Sequence, residues 1–130
     1  MIVLDASVVL ELLLNGPGAG AAGERVFDGA ETLHAPHLLD LEVAQVIRRY
    51  WRAGEVTAVR GKQALEDLVD LPIQRYSHEP LIQRIWTLRQ NVTAYDAAYL
   101  ALAEGLHAPL LTRDRRLAAA PGHAARVEVV

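Results

Sequence analysis

The stretch Ile2–Leu10, which reads IVLDASVVL, sets three apolar residues against an aspartate and then changes period. Ile2–Leu4 make a short apolar run suited to a strand buried on both faces, whereas Val8, Val9, Leu12 and Leu13 recur at helical spacing. A strand that feeds straight into a helix is half of a β-α-β unit, and it leaves Asp5 at the strand's carboxyl end. Outward from it, Asn15–Gly23 is rich in Gly and Ala and reads as a flexible loop leading into a weak helix through Arg25–Asp28. Thr32–Ala35 reads as a strand. Pro36 opens a helix to about Arg52 with the stripe Leu39, Val43, Val46, Ile47 and Tyr50, ended by Gly54.

Thr57 caps a further helix to about Val69, and Leu71–Tyr76 reads as a strand with Pro72 at its start. Ser77 precedes a helix through Gln90. TAYDAAYLALAEGL, from Thr93 to Leu106, is apolar all round, which predicts a nearly buried helix with Gly105 near its end. Pro109–Thr112 and Arg126–Val129 read as strands, joined by a turn or short helix over Asp114–Ala119. The alternation predicts an α/β fold, a mostly parallel sheet covered by helices on both faces. With 130 residues, 52% of them hydrophobic, it is one domain over 1–130.

The absence of cysteine excludes disulfides, thiolate nucleophiles and Cys-based zinc sites. The N-terminus has no basic region, and Asp5 and Glu11 interrupt its apolar run, so it reads as neither a signal peptide nor a membrane span; a cytoplasmic location is expected. Thirteen Lys and Arg against sixteen Asp and Glu leave a net charge of −3, which argues against nucleic-acid binding through bulk charge. It leaves room for an enzyme that meets phosphate through a metal.

Asp5, Glu42, Asp96 and Asp114 are the acids that interrupt apolar or helix-patterned segments. Ionised carboxylates brought together away from water need a compensating cation, and no basic side chain neighbours Asp5, Glu42 or Asp96 in sequence. Hard ions such as Mg²⁺ or Mn²⁺ suit carboxylate and water ligands. Each acid also has an ordinary reading. Asp5 and Asp114 could cap the helices after them, and Asp96 could complete a capping box with Thr93. Glu42 could be a solvated flank residue, although Val46 at the i+4 position gives it no ion-pair partner. Asp40, Asp67 and Asp70 read as solvated helix charges.

Taken together, the motifs IVLDASVVL with Asp5, HAPHLLDLEVAQVIRR with Glu42, VTAYDAAYLALAEGL with Asp96 and APLLTRDRRL with Asp114 resemble a PIN domain of the VapC type, the toxin ribonuclease of a toxin-antitoxin pair. They stand in the family's order over nearly the whole chain. The resemblance implies a three-layer α/β/α fold and hydrolysis of RNA phosphodiester bonds with Mg²⁺ or Mn²⁺ held by this acidic quartet. Ser7 and Thr112 correspond to small hydroxyl residues common beside the first and last acids. It further implies an antitoxin partner and a homodimer. The Gly/Ala-rich stretch after Asn15 matches no family motif.

Arg113, Arg115 and Arg116 beside Asp114 could contact an RNA backbone or form a solvated turn. The five histidines lack metal-site spacing and read as surface or capping residues. Tyr50, Trp51, Trp86, Tyr95 and Tyr99 read as core or dimer contacts, with Tyr95 beside Asp96 the candidate exception. A receiver-type or haloacid-dehalogenase-type phosphoryl-transfer domain is the competing enzyme, but it needs a lysine at the site, and Lys62, the only lysine, falls within a predicted helix. No P-loop pattern is present. A degenerate domain that only binds a partner is the competing non-enzyme.

Overall fold

The computed structural model describes residues 1–16 and 18–130. Pro17, inside the loop expected at 15–23, lies outside the described residues. Five strands, β1 (Ile2–Leu4), β2 (Leu33–Pro36), β3 (Ile73–Tyr76), β4 (Leu110–Thr112) and β5 (Val127–Val129), form one sheet in the order β3-β2-β1-β4-β5. All four pairings are parallel. Parallel strands have to be buried on both faces, which is why β1, β2 and β4 are short, wholly buried runs.

Seven helices cover the sheet among the described residues. α1 (Ala6–Leu14), α2 (Ala19–Phe27), α3 (Leu38–Arg52) and α4 (Ala58–Asp70) pack on one another. α5 (Ile82–Thr87) packs on α6 (Ala94–Leu106), which lies against β1, β2 and β4, while α7 (Arg115–Ala119) packs on β4 and β5. This is the expected three-layer α/β/α architecture. The core joins Val3, Leu4, Val8, Leu39, Leu100 and Leu111, all with no exposed surface. Burying each such side chain is worth roughly 1.5–3 kcal/mol.

Several local expectations need correction. Residues 19–23, expected in a loop, belong to α2, whose buried face is Ala22 and Val26. Pro36 closes β2 instead of opening α3, and His37 carries the β2–β3 pairing one residue further by donating to the Tyr76 carbonyl at 2.8 Å. The helix expected from 77 to 90 is a 3₁₀ turn at Glu79–Leu81 followed by the short α5, and β3 starts only after Pro72. α6 runs through Gly105 to Leu106, and His107 takes the left-handed position with φ 53.

Side-chain environments also differ from expectation. His34 is a buried residue of β2, held by Thr32 Oγ1 and the Tyr76 hydroxyl, each at 2.7 Å; His78 caps α3 by accepting the Leu38 N–H at 3.0 Å. Asp40 is not simply solvated but pairs with Arg75 at 2.8 Å. Tyr99 is core, whereas Trp51, Trp86 and Tyr95 are more than half exposed.

The direction of crossing reverses at β1, with β2 and β3 on one side and β4 and β5 on the other. In an open parallel sheet this reversal leaves a crevice at the carboxyl ends of the two central strands. Asp5 follows β1 there, and Asp114 follows β4 after Arg113.

Candidate active site

Asp5 occupies the end of β1 and the N-cap of α1, where its Oδ1 accepts the Val8 N–H at 3.2 Å. The cap reading was therefore correct, and it accounts for only part of the carboxylate. Oδ1 also accepts the Ser7 hydroxyl at 2.6 Å, and Oδ2 accepts the Thr112 hydroxyl. Each hydroxyl in turn accepts a backbone N–H from the loop after β4: Arg113 to Ser7 and Asp114 to Thr112, both at 3.0 Å. Two hydroxyls thus stitch β1 to the β4 loop and fix both oxygens of Asp5. Burial pushes the Asp5 carboxyl above its ordinary pKa, against these hydrogen bonds, and the residue is only 8% exposed.

Asp114 N-caps α7 by accepting the Arg116 N–H at 2.9 Å. Asp96 sits in the first turn of α6, its N–H donated to the N-cap Thr93 at 3.2 Å, while the half-buried side chain faces a cleft of about 620 Å³ shared with Asp114, Arg116, Thr93 and Arg89. Its pKa is raised first by burial and next by the charge of Asp114. Cap and site coincide for Asp5 and Asp114, since an acid at a helix N-terminus is also aimed out of the sheet's carboxyl edge, whereas the N-cap of α6 is Thr93.

Glu42 reaches the same region from α3. It accepts the Tyr99 hydroxyl at 2.6 Å, and its pKa is raised by burial and then, despite that bond, by the charges of Asp96 and Asp5. It lines a neighbouring groove of about 530 Å³ with Ser7, Leu10, Leu41 and Tyr95. The charges of Asp5 and Asp96 thus reach Glu42, and that of Asp114 reaches Asp96, linking the four predicted acids in a chain. Tyr99 is the member that the sequence reading missed. Its position three residues after Asp96 put it on the same helix face, and a buried tyrosine hydroxyl needs a partner. Burial and the Glu42 contact push its own pKa up, so it remains a donor.

Among the described residues, no three acidic or histidine side chains are gathered into a ready cage for an ion. The donor set nonetheless fits a hard divalent cation, which takes one or two carboxylates and keeps several waters. Among the described residues the ion pair at these four carboxyls is that of Asp114 with Arg116 at 3.5 Å, and Arg116 is 95% exposed. Lys62 stands on α4, 80% exposed and paired with Glu66 at 3.6 Å, so it supplies no site lysine of the kind a receiver or dehalogenase fold requires.

Arg113 does not face the cleft. Its guanidinium pairs with Glu11 at 3.2 Å and donates to the Val130 carbonyl at 3.4 Å, and Glu11 also accepts the Gly18 N–H at 2.9 Å. A Cβ at Gly18 would overlap this guanidinium, which gives that position of the Gly/Ala-rich stretch a packing reason. Arg115 and Arg116 remain exposed.

The sequence profile of the PIN domain matches residues 2–122. The chain is 45% identical over 129 residues to Ribonuclease VapC1 of Mycobacterium tuberculosis, covering 98% of this chain and 96% of the relative. It is equally 45% identical to Ribonuclease VapC12 of the same organism, over 100% and 99% of the two chains. The fold superimposes on that of M. tuberculosis VapC20, a sarcin-ricin loop cleaving toxin, with a TM-score of 0.73 at 12% identity, covering 92% and 94%. A toxin-antitoxin complex from Klebsiella pneumoniae gives 0.70 at 18% identity, covering 92% and 91%. With the PIN profile matched over residues 2–122 and 45% identity to VapC ribonucleases along nearly the whole chain, the chain belongs to the PIN-domain family, among its VapC members.

Proposed function

We propose that the protein is an endoribonuclease that hydrolyses RNA phosphodiester bonds with Mg²⁺ or Mn²⁺ and acts as the toxin of a toxin-antitoxin pair. The observation that carries this reading is the gathering of Asp5, Glu42, Asp96 and Asp114 at the carboxyl edge of the sheet, where Glu42 and Asp96 have pKa values raised first by burial and then by the charge of other members of the set. The 45% identity to VapC ribonucleases supports it.

Asp5, Asp96 and Asp114 would hold the ion. When bound, it would supply charge neutralisation at the attacked phosphate and activation of the attacking water. Ser7 and Thr112 keep both Asp5 oxygens aimed, Tyr99 orients Glu42, and Glu42 either joins the ion's ligands or positions the attacking water. Arg115 and Arg116 are placed to meet the RNA backbone. The test is a cleavage assay on total RNA with purified protein, with and without Mg²⁺ or Mn²⁺, followed by sequencing of the new ends. Cleavage that needs the ion and leaves defined ends is expected; undiminished cleavage in EDTA would overturn the hydrolytic mechanism.

The proposed antitoxin would lay an apolar segment into the groove beside Glu42, over Leu10, Leu38, Leu41 and Val46, and direct an Arg or Lys at the acids. A homodimer follows from the family likeness and forms part of the same proposal. Co-expression with the adjacent reading frame is the check: a neighbour that copurifies and silences cleavage is expected, and one that does neither removes the antitoxin reading.

A further inference from the structure

The acid cleft does not end at Asp96. Arg89, Val92 and Thr93 line both that cleft and a second, adjoining groove of about 360 Å³ whose other walls are Ile82, Ile85, Trp86 and Ala94. The first carries Asp96 and Asp114 together with Arg89 and Arg116, and the second is mainly apolar. Trp86 is 67% exposed although it is the largest apolar side chain on α5, and the Arg89 guanidinium lies over its ring, 4.5 Å from the centroid. Arg89 is fixed there by donating to the Trp86 carbonyl at 3.0 Å. The result is a flat aromatic and cationic platform at one end of a channel, with carboxylates at the other.

We propose that this groove is a nucleobase subsite, in which one unpaired base of the RNA strand next to the scissile phosphate stacks on the Trp86–Arg89 platform. The inference rests on the ribonuclease reading above and adds the place where the strand is gripped. Three features select this occupant. The groove is continuous with the cleft that takes the phosphate, through three shared residues. Its chemistry matches a base, which offers a π face to indole and guanidinium alike. Finally, Arg89 and Arg116 border the acid cleft and supply positive charge where the flanking phosphates would run, which the acids alone would repel. A base-paired strand cannot offer a free face, so the subsite selects loops and single strands.

The experiment uses the full chain and a set of short single-stranded RNAs carrying one cleavage site, identical except for a single abasic ribose moved along the strand. With wild type and Mg²⁺ or Mn²⁺, one abasic position adjoining the cut is expected to lower kcat/KM by about tenfold or more. Trp86→Ala is expected to lose a similar factor on the intact strand and nothing further at that abasic position, while Trp86→Phe retains most of the activity. Equal losses for Trp86→Ala at every abasic position would overturn the subsite, as would conversion of a wild-type dimer to monomer by Trp86→Ala in sedimentation, which would assign the platform to contact between copies.

A metal-free arm separates this proposal from the ribonuclease reading. In a Trp51→Phe background, Trp86 is the remaining tryptophan, and the intact RNA is expected to quench its fluorescence. Quenching without any metal-stimulated cleavage would leave the subsite standing and remove the catalytic reading. Absence of quenching by any strand would remove the subsite whether or not cleavage occurs.

Discussion

Glutamate and aspartate live in two opposite environments in this molecule. At the carboxyl edge of β1 and β4, Glu42 and Asp96 face other acids, Asp5 is buried, and the pKa of all three is raised. Elsewhere, Glu104 receives two bonds from Arg84, both at 2.8 Å, and the Ala124 N–H at 2.8 Å, while Arg25 joins Glu128 and Glu31 at 2.9 Å each; all three glutamates are lowered. One region binds the helices and strand ends together by pairing charge. The other offers its acids one exposed partner, Arg116 at Asp114, and leaves the burial of Asp5, Glu42 and Asp96 unmatched by an ion pair among the described residues. The difference separates acids that serve stability from those proposed above to serve function.

The largest expected effect comes from removing charge at the carboxyl edge. Asp5→Asn, Asp96→Asn and Asp114→Asn should each lower ion-dependent RNA cleavage by more than about 10³-fold, because ligands acting as a unit fail together. The fold should survive, since asparagine caps a helix as well as aspartate does. Circular dichroism alongside the cleavage assay checks both halves, and full activity in Asp96→Asn would return that residue to capping alone.

Next in size is Tyr99→Phe, which deletes the hydroxyl that orients Glu42. A partner of a site carboxylate is commonly worth 10–100-fold in activity or metal affinity, and a loss of about that range in kcat is expected with a cooperative melt retained. Unchanged kcat would show that Glu42 needs no orientation.

Glu104→Gln probes the opposite environment. It leaves Arg84 without its carboxylate and should cost roughly 1–2 kcal/mol in urea denaturation, with no change in cleavage. Since the Glu104 pKa is lowered on folding, its contribution is present above the unfolded value near 4.5 and lost as pH falls through the folded one. The gap between variant and wild type should therefore close in acid.

The smallest effect has the reverse sign. Raised carboxyls stabilise the metal-free fold below their unfolded values of 3.8 to 4.5, and that contribution is lost as pH rises through their folded pKa values. Near neutral pH, Asp96→Asn should accordingly melt a few degrees above metal-free wild type, an advantage that shrinks in acid. Adding Mg²⁺ or Mn²⁺ should raise the wild-type melting temperature and leave the variant nearly unmoved. A metal-free variant less stable than wild type at every pH would dissolve the contrast between the two environments.

The sequence by itself determined the alternation of elements and singled out the four acids that the structure gathers at the sheet's carboxyl edge. An apolar triplet such as Ile2–Leu4, a period change after Asp5 and a nearly buried α6 are local patterns, and local patterns are written in one dimension. The same reading could not say whether Asp96 capped a helix or faced a cleft, because both follow from one position in the first turn; with α6 packed against β1, β2 and β4, Thr93 is the cap and Asp96 lines the cleft. Only the tertiary structure decided that Arg113 turns away to Glu11 and Val130, that Tyr99 holds Glu42 from 57 residues away, and that Trp86 and Arg89 stack beside the acids. Where a side chain goes depends on which distant elements the sheet brings beside it, and β1 meets β4 only after more than 100 residues of intervening chain.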